Sequence, residues 1–228
     1  MNRYELLIFD WDGTLVDSIG RIVESMQVAA RACELPQRDE ASLKDIIGLA
    51  LPEAIATLYP QLAGSSVVED FRRYYSEHYL ALEAQPSPLY PGVAEVLQAF
   101  RDRGYLLAVA TGKGRLGLNR VLAGRGWEAF FDVTRCADET ASKPDPQMIH
   151  EILCHCGKRP ERALMVGDSV FDLQMARHAG IDSVAVTYGA QPVEVLRGCK
   201  PRLMIDRFAE LGAWLGAVDS FEVSAYVG

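Results

Sequence analysis

The sequence predicts an α/β protein: a parallel β-sheet with helices on both faces, interrupted once by an all-helical insert. Three observations predict it. Short apolar, β-rich runs alternate with amphipathic helical segments over most of the chain, the pattern of strands joined by crossover helices. The runs close on Gly, Asp or Thr, and several helical segments close on Gly, so each element carries its own stop signal. Between about Asp17 and Ala84 no strand-like run occurs at all.

The first strand is read at residues 4–10, the start of a stretch that ends "LLIFDWDGTLVDS" (6–18). An amphipathic helix follows at 19–35. Residues 41–59 read as two short helices around Gly48 to Pro52, and 65–84 as a long helix rich in Tyr. Pro86 and Pro88 then mark a hinge. The alternation resumes with a helix at 91–104, opened by Pro91 and stopped by Gly104. A strand is expected at 105–111, a helix at 116–126, a strand at 131–136 and a helix at 145–157. Strand 163–168, helix 171–180, strand 182–189 and a short strand at 202–206 complete the series. The chain therefore divides into a Rossmann-like α/β core of residues 1–16 and 85–228 and a helical domain of residues 17–84. The tail 214–228 fits a disordered end, an added strand or a surface segment.

The bulk properties exclude several classes. A chain of 228 residues supports one large or two modest domains. A net charge of −8 argues against nucleic acid or an anionic membrane as the main partner, because both need a basic surface. No apolar run reaches the length of a membrane span, and the N-terminus has no signal-like core, so the expected location is cytoplasmic. Five cysteines without a C-x-x-C pair suggest neither a disulfide framework nor a zinc ribbon. "HEILCHCG" (150–157) reads as the end of an amphipathic helix with Ile152 and Leu153 facing inward and Gly157 as the stop.

Placed on this map, the polar residues converge. Asp10 ends the first strand, Thr111 the second and Asp168 the fourth, and the carboxyl ends of strands in an open parallel sheet form its ligand crevice. Lys143 sits in a loop that can reach the same edge, and Asp172 lies one helical turn after Asp168. Taken singly, an Asp at a strand end is a turn former and a loop Lys is solvated. Together, several carboxylates repel unless a cation sits among them. Oxygen ligands with a Lys and a Thr hydroxyl point to Mg²⁺ and a phosphate.

These stretches also resemble a known family. "DWDGTLVDS" (10–18), "ATGK" (110–113), "SKPDP" (142–146) and "GDSVFD" (167–172) are similar to the four motifs of the haloacid dehalogenase-like hydrolases, in that family's order. The resemblance spans residue 4 to about 206, and the helical insert resembles the family's small cap. Within the superfamily the chain is most similar to the phosphoglycolate phosphatase group. It departs from many relatives at Trp11, where a smaller apolar residue is common, and at Gly112, where many have Asn. The resemblance implies that Asp10 is the nucleophile and Asp12 the general acid and base. It implies a Mg²⁺ site of Asp10, the Asp12 backbone carbonyl and Asp168, supported by Asp172. Thr111, Gly112 and Lys143 would hold the phosphoryl oxygens. Gly13 and Thr14 would make the tight turn after the acids.

The expected activity is thus a Mg²⁺-dependent phosphatase of a small phosphorylated metabolite, acting as a monomer or homodimer. Phosphoglycolate leads the substrate analogies, with sugar phosphates behind it. The cap loop 47–53 would face the substrate, and Arg21, Lys44, Lys113 and Arg115 are candidate partners for a substrate carboxylate or second phosphate. A phosphomutase would keep every motif residue. A dehalogenase would need neither Mg²⁺ nor Asp12. A non-catalytic binding protein on this fold would usually lose a nucleophile or metal ligand, and none is missing.

Overall fold

The computed structural model describes residues 3–217. Six strands form one parallel sheet: β1 (Leu6–Phe9), β2 (Leu106–Thr111), β3 (Val133–Cys136), β4 (Ala163–Gly167), β5 (Asp182–Val186) and β6 (Leu203–Ile205). Their order is β3-β2-β1-β4-β5-β6. Phe9 lies opposite Val109 of β2 and Val166 of β4, so β1 is central and flanked by both.

The sheet buries both faces, which is why its strands are apolar at successive positions. Leu7, Phe9, Leu107, Val109, Leu164 and Val166 point into one core cluster. Leu6, Ile8, Ala108, Ala110, Ala163 and Met165 point into the other. The first cluster is covered by α5 (Val93–Asp102), α6 (Arg115–Ala123) and α10 (Phe208–Trp214), the second by α7 (Gln147–Cys156) and α8 (Val170–His178). Both layers match the α/β expectation.

The regular elements between β1 and α5 are all helices. They include α1 (Ile19–Ala32), α2 (Glu40–Asp45), α3 (Leu51–Leu58) and α4 (Val67–Leu82). Their apolar residues form a cluster of their own, with Ile22, Val23, Met26 and Ala29 of α1 packed with Ile55, Phe71 and Tyr79. The chain leaves and re-enters the core side by side. Asp17 N–H donates to the Pro88 carbonyl (2.9 Å), and Tyr90 N–H donates to that of Leu15 (3.1 Å).

Every expected strand is present, trimmed at its ends. The structure adds α9 (Val193–Gly198) and α10, which no local sequence pattern predicts. Both are under two and a half turns long, and α10 holds a buried Gly212, so tertiary packing rather than local propensity sets them. "HEILCHCG" does end a helix: α7 buries Ile152 and Leu153 and stops at Gly157 in a left-handed conformation (φ +60°). Of the tail, Trp214 closes α10, and residues 218–228 lie outside the described residues. Among the described residues no helix is long and apolar enough to cross a membrane.

Candidate active site

The strand order brings three carboxyl ends together, those of β2, β1 and β4. Asp10 continues the β1 path for one residue, its N–H donating to the Val166 carbonyl (2.9 Å). Asp10 and Asp12 both line a cavity of about 540 Å³ between the strand ends and the helical insert. Trp11 between them is buried in the core, edge-on to Trp127 and Phe131. That is the alternation of an extended chain.

Asp10, Asp168 and Asp172 are fully buried, and each offers a carboxylate oxygen within 4.8 Å of the others. Lys143, also buried, places Nζ 2.6 Å from Asp10 Oδ1 and 2.6 Å from Asp172 Oδ1. The other Asp172 oxygen accepts from the Ser169 hydroxyl (2.7 Å) and N–H (3.1 Å), so Asp172 also caps α8. Asp168 accepts from Thr14 Oγ1 (3.1 Å) and Ala190 N–H (2.7 Å).

Three carboxylates share a single ammonium. Burial pushes the Asp10 carboxyl well above its usual range against the pull of Lys143, and Asp172 and Asp168 add to the rise. Burial and then Asp172 push Asp168 up to about 7. Lys143 is held above its ordinary value: burial opposes its charge, but Asp10 and Asp172 outweigh burial. Fully ionised, the cluster carries two uncompensated negative charges in a buried oxygen-rich pocket. That donor set fits a hard divalent cation. Asp172 belongs to the cluster, while the Asp12 side chain lies outside it.

Asp12 has a separate set of partners. Ser18 Oγ donates to Asp12 Oδ1 (2.6 Å), and Lys113 Nζ lies 3.2 Å from Asp12 Oδ2. Lys113 also donates to Tyr79 Oη (3.3 Å) and sits 4.5 Å from that ring's centre. A core lysine therefore ties Asp12 to helix α4 of the insert. Ser18 stood inside the first motif without an assigned role. Its signal was its place at the entry of α1, a short step past the acids.

Two glycines are dictated by close approach. Gly13 has φ +83°, and a Cβ there would fall 2.2 Å from Asp168 Oδ2, so the space it spares belongs to Asp168. A Cβ on Gly112 would meet the carbonyl oxygens of Leu49 (2.6 Å) and Gly48 (2.7 Å). The insert's loop thus fills the place of a side chain at 112. Ala50 N–H donates to Ser142 Oγ (2.9 Å), fastening the same loop beside Lys143.

Thr111 is buried at the end of β2, its hydroxyl accepting from the Lys113 N–H (3.1 Å). Of the four candidate cations, only Lys113 lines the cavity. Arg21 is bonded to the Leu82 and Gln85 carbonyls, Lys44 pairs with Glu40 (2.6 Å) and Arg115 with Glu139 (2.6 Å).

Residues 7–186 match the family model described as haloacid dehalogenase-like hydrolase. The chain belongs to that family. It is 33% identical over 211 residues to the protein named Probable phosphatase IndB of Dickeya dadantii (strain 3937), covering 90% of this chain and 91% of that one. It is 32% identical to the phosphoglycolate phosphatase of Agrobacterium fabrum (strain C58 / ATCC 33970), covering 90% of each. The crystal structure of a predicted phosphoglycolate phosphatase from Haemophilus somnus 129pt superposes with a TM-score of 0.81 at 29% identity, over 92% of this chain and 97% of that one. The resemblance carried by the four motifs is thereby established, and with it a hydrolase of this family.

Proposed function

We propose that this haloacid dehalogenase-like hydrolase is a Mg²⁺-dependent phosphatase that cleaves phosphate monoesters of small metabolites through an aspartyl-phosphate intermediate. In this reading residues 17–84 act as a cap over the α/β core. The observation that carries it is the separation of two acids one residue apart. Asp10 sits with Asp168, Asp172 and Lys143, Asp12 sits with Ser18 and Lys113, and both acids line one cavity. Relatives named as phosphatases support it.

The cation would be held by Asp10, Asp168 and Asp172 with the backbone at Asp12. When bound, it would neutralise the carboxylates and the phosphoryl oxygens they face. Asp10 attacks phosphorus, forming the new P–O bond as the bond to the leaving alcohol breaks. Asp12 gives its proton to the departing oxygen. It then takes one from water, which attacks the aspartyl phosphate, releasing inorganic phosphate and restoring Asp10. The Thr111 hydroxyl, the Gly112 backbone and Lys143 hold the phosphoryl oxygens. The cap keeps bulk water from the intermediate.

The test is phosphate release from a panel of phosphorylated metabolites, with Mg²⁺ or with chelator, on the native protein and on Asp10→Asn. Mg²⁺-dependent release that disappears in the variant supports the reading. Isomerised product without phosphate release, or no turnover of any panel member, overturns it.

A further inference from the structure

The cavity over the acids differs sharply between floor and walls. Its floor carries Asp10, Asp12, Thr111 and Lys113. Above them Met26 of α1, Ile46 and Leu51 line the wall from the insert, and Tyr75 stacks on Tyr79 of α4 with ring centres 5.8 Å apart. At the rim stand Leu80 of α4 and Leu116 of α6, which remain 46% and 80% exposed. They are two of only four large apolar side chains left exposed among the described residues, and they border the same opening from the two halves of the molecule. Single exposed leucines are ordinary, but an apolar pair at the mouth of an apolar-walled cavity marks a binding surface.

The charged residues of the cavity point the same way. Three cations line it, and each is committed to a carboxylate: Lys113 to Asp12 (3.2 Å), Arg120 to Glu83 (3.3 Å) and Arg72 to Glu69 (2.9 Å). Glu53, Glu83 and Asp138 line it as well. A substrate carboxylate entering this space would compete with these carboxylates for the same cations and would face the remaining acids. At about 540 Å³ the cavity has a volume suited to a ligand far larger than a two-carbon acid.

Resting on the phosphatase reading above, we propose that the preferred substrate is the phosphate monoester of an uncharged, largely apolar alcohol of aromatic-ring size. Its organic group lies along Tyr75, Leu80 and Leu116. The reaction consumes water and yields that alcohol and inorganic phosphate. Small carboxylate-bearing esters are disfavoured.

Three probes with Mg²⁺ test it: 2-phenylethyl phosphate, ethyl phosphate and 2-phosphoglycolate. The first two share an unactivated alkyl leaving oxygen, so a difference between them reports binding of the ring and not leaving-group chemistry. The native protein should show kcat/KM for 2-phenylethyl phosphate at least about tenfold above both others, the discrimination an apolar pocket supplies. Leu116→Asp, at a surface position that does not threaten folding, should lower the ratio of phenylethyl to ethyl phosphate by roughly tenfold, with an unchanged Tm as the check on folding. Turnover of 2-phosphoglycolate equal to or above that of the phenylethyl ester, or a ratio that Leu116→Asp does not move, overturns the inference and leaves the phosphatase reading standing. No phosphate from any of the three, nor from the wider metabolite panel, overturns both.

Discussion

Replacing Lys143 by Met removes the one ammonium from the buried carboxylate cluster while keeping the length of the side chain. Lys143 has no exposed side-chain surface and meets Asp10 and Asp172 at 2.6 Å each. Breaking a buried pair from one side costs about 3–5 kcal/mol, because the surviving charge stays buried without its partner. For a chain of this size about 1 kcal/mol corresponds to roughly 2–4 °C, so Tm in chelator should fall by about 6–20 °C. The charge count makes the reasoning checkable. With every carboxylate ionised, the native cluster sums to two negative charges. Lys143→Met leaves three, and Lys143→Met with Asp172→Asn returns to two. The double variant should therefore melt above the single lysine variant, although it carries one more substitution. Thermal melts by circular dichroism, on the native protein and both variants in chelator, measure this. A lysine variant within about 2 °C of native, or a double variant that melts lower than the single, would refute the electrostatic account. Activity in the lysine variant should drop by roughly 10²–10³ in kcat, the usual cost of losing a transition-state charge.

Mg²⁺ should raise Tm, by an amount that grows with pH. Asp168 is pushed up to about 7 and Asp10 is raised too, so the cation-free fold loses stability as pH climbs from the ordinary carboxylate value towards 7. Differential scanning calorimetry should then show a larger Mg²⁺ increment at pH 8 than at pH 5, and an equal or reversed increment contradicts this. Gly112→Asn, whose Cβ would stand 2.6 Å from the Leu49 carbonyl, should destabilise by about 1–3 kcal/mol or shift the loop of Gly48 and Leu49. A melt together with KM reads either effect, and native values of both speak against the close approach. Ser18→Ala removes the 2.6 Å donor to Asp12 and should lower kcat by roughly tenfold, a part of the roughly 10²–10⁴-fold that general acid–base catalysis contributes. A pH profile of kcat unchanged from native would show that Ser18 does not position the acid.

The strands were legible because each is a short apolar run with a polar stop, and a sheet buried on both faces leaves no other arrangement for them. Asp10, Thr111 and Asp168 could be placed at one edge for the same reason. What stayed hidden depends on contacts between distant parts of the chain. Ser18 reads as an ordinary helix-entry residue until the turn after Gly13 brings it back onto Asp12. Lys113 resembled a solvated cation, yet Tyr79 and Asp12 enclose it from two different elements. Arg21 and Arg115 looked equally available, but one is spent on carbonyls at the end of α4 and the other on Glu139. Nothing local distinguishes a committed cation from a free one, because the commitment is made by its partner's position in space. The short helices α9 and α10 fail as local patterns for a similar reason, being held by the sheet they pack on.

The opening motif sets two carboxylates one residue apart, and the fold gives each a different partner. Asp10 is drawn into a fully buried group of three acids balanced by one lysine, where its charge is costly until a cation shares it. Asp12 is turned to a serine hydroxyl and to Lys113, which in turn rests on a tyrosine of the insert. Pairs of titratable groups held in unlike surroundings are what separate a nucleophile from a proton carrier. The partition also binds the two halves of the molecule to the chemistry. Asp10 answers to the sheet through Asp168, Asp172 and Lys143. Asp12 answers to α4 through Lys113 and Tyr79, so a displacement of α4 alters the environment of Asp12 before it reaches that of Asp10. Tyr79→Phe isolates that link, because it removes the hydroxyl 3.3 Å from Lys113 Nζ and leaves the ring beneath the ammonium. It should change the pH dependence of kcat while leaving Mg²⁺ stabilisation of Tm as in the native protein. Equal loss of both would mean that the two acids share one environment after all.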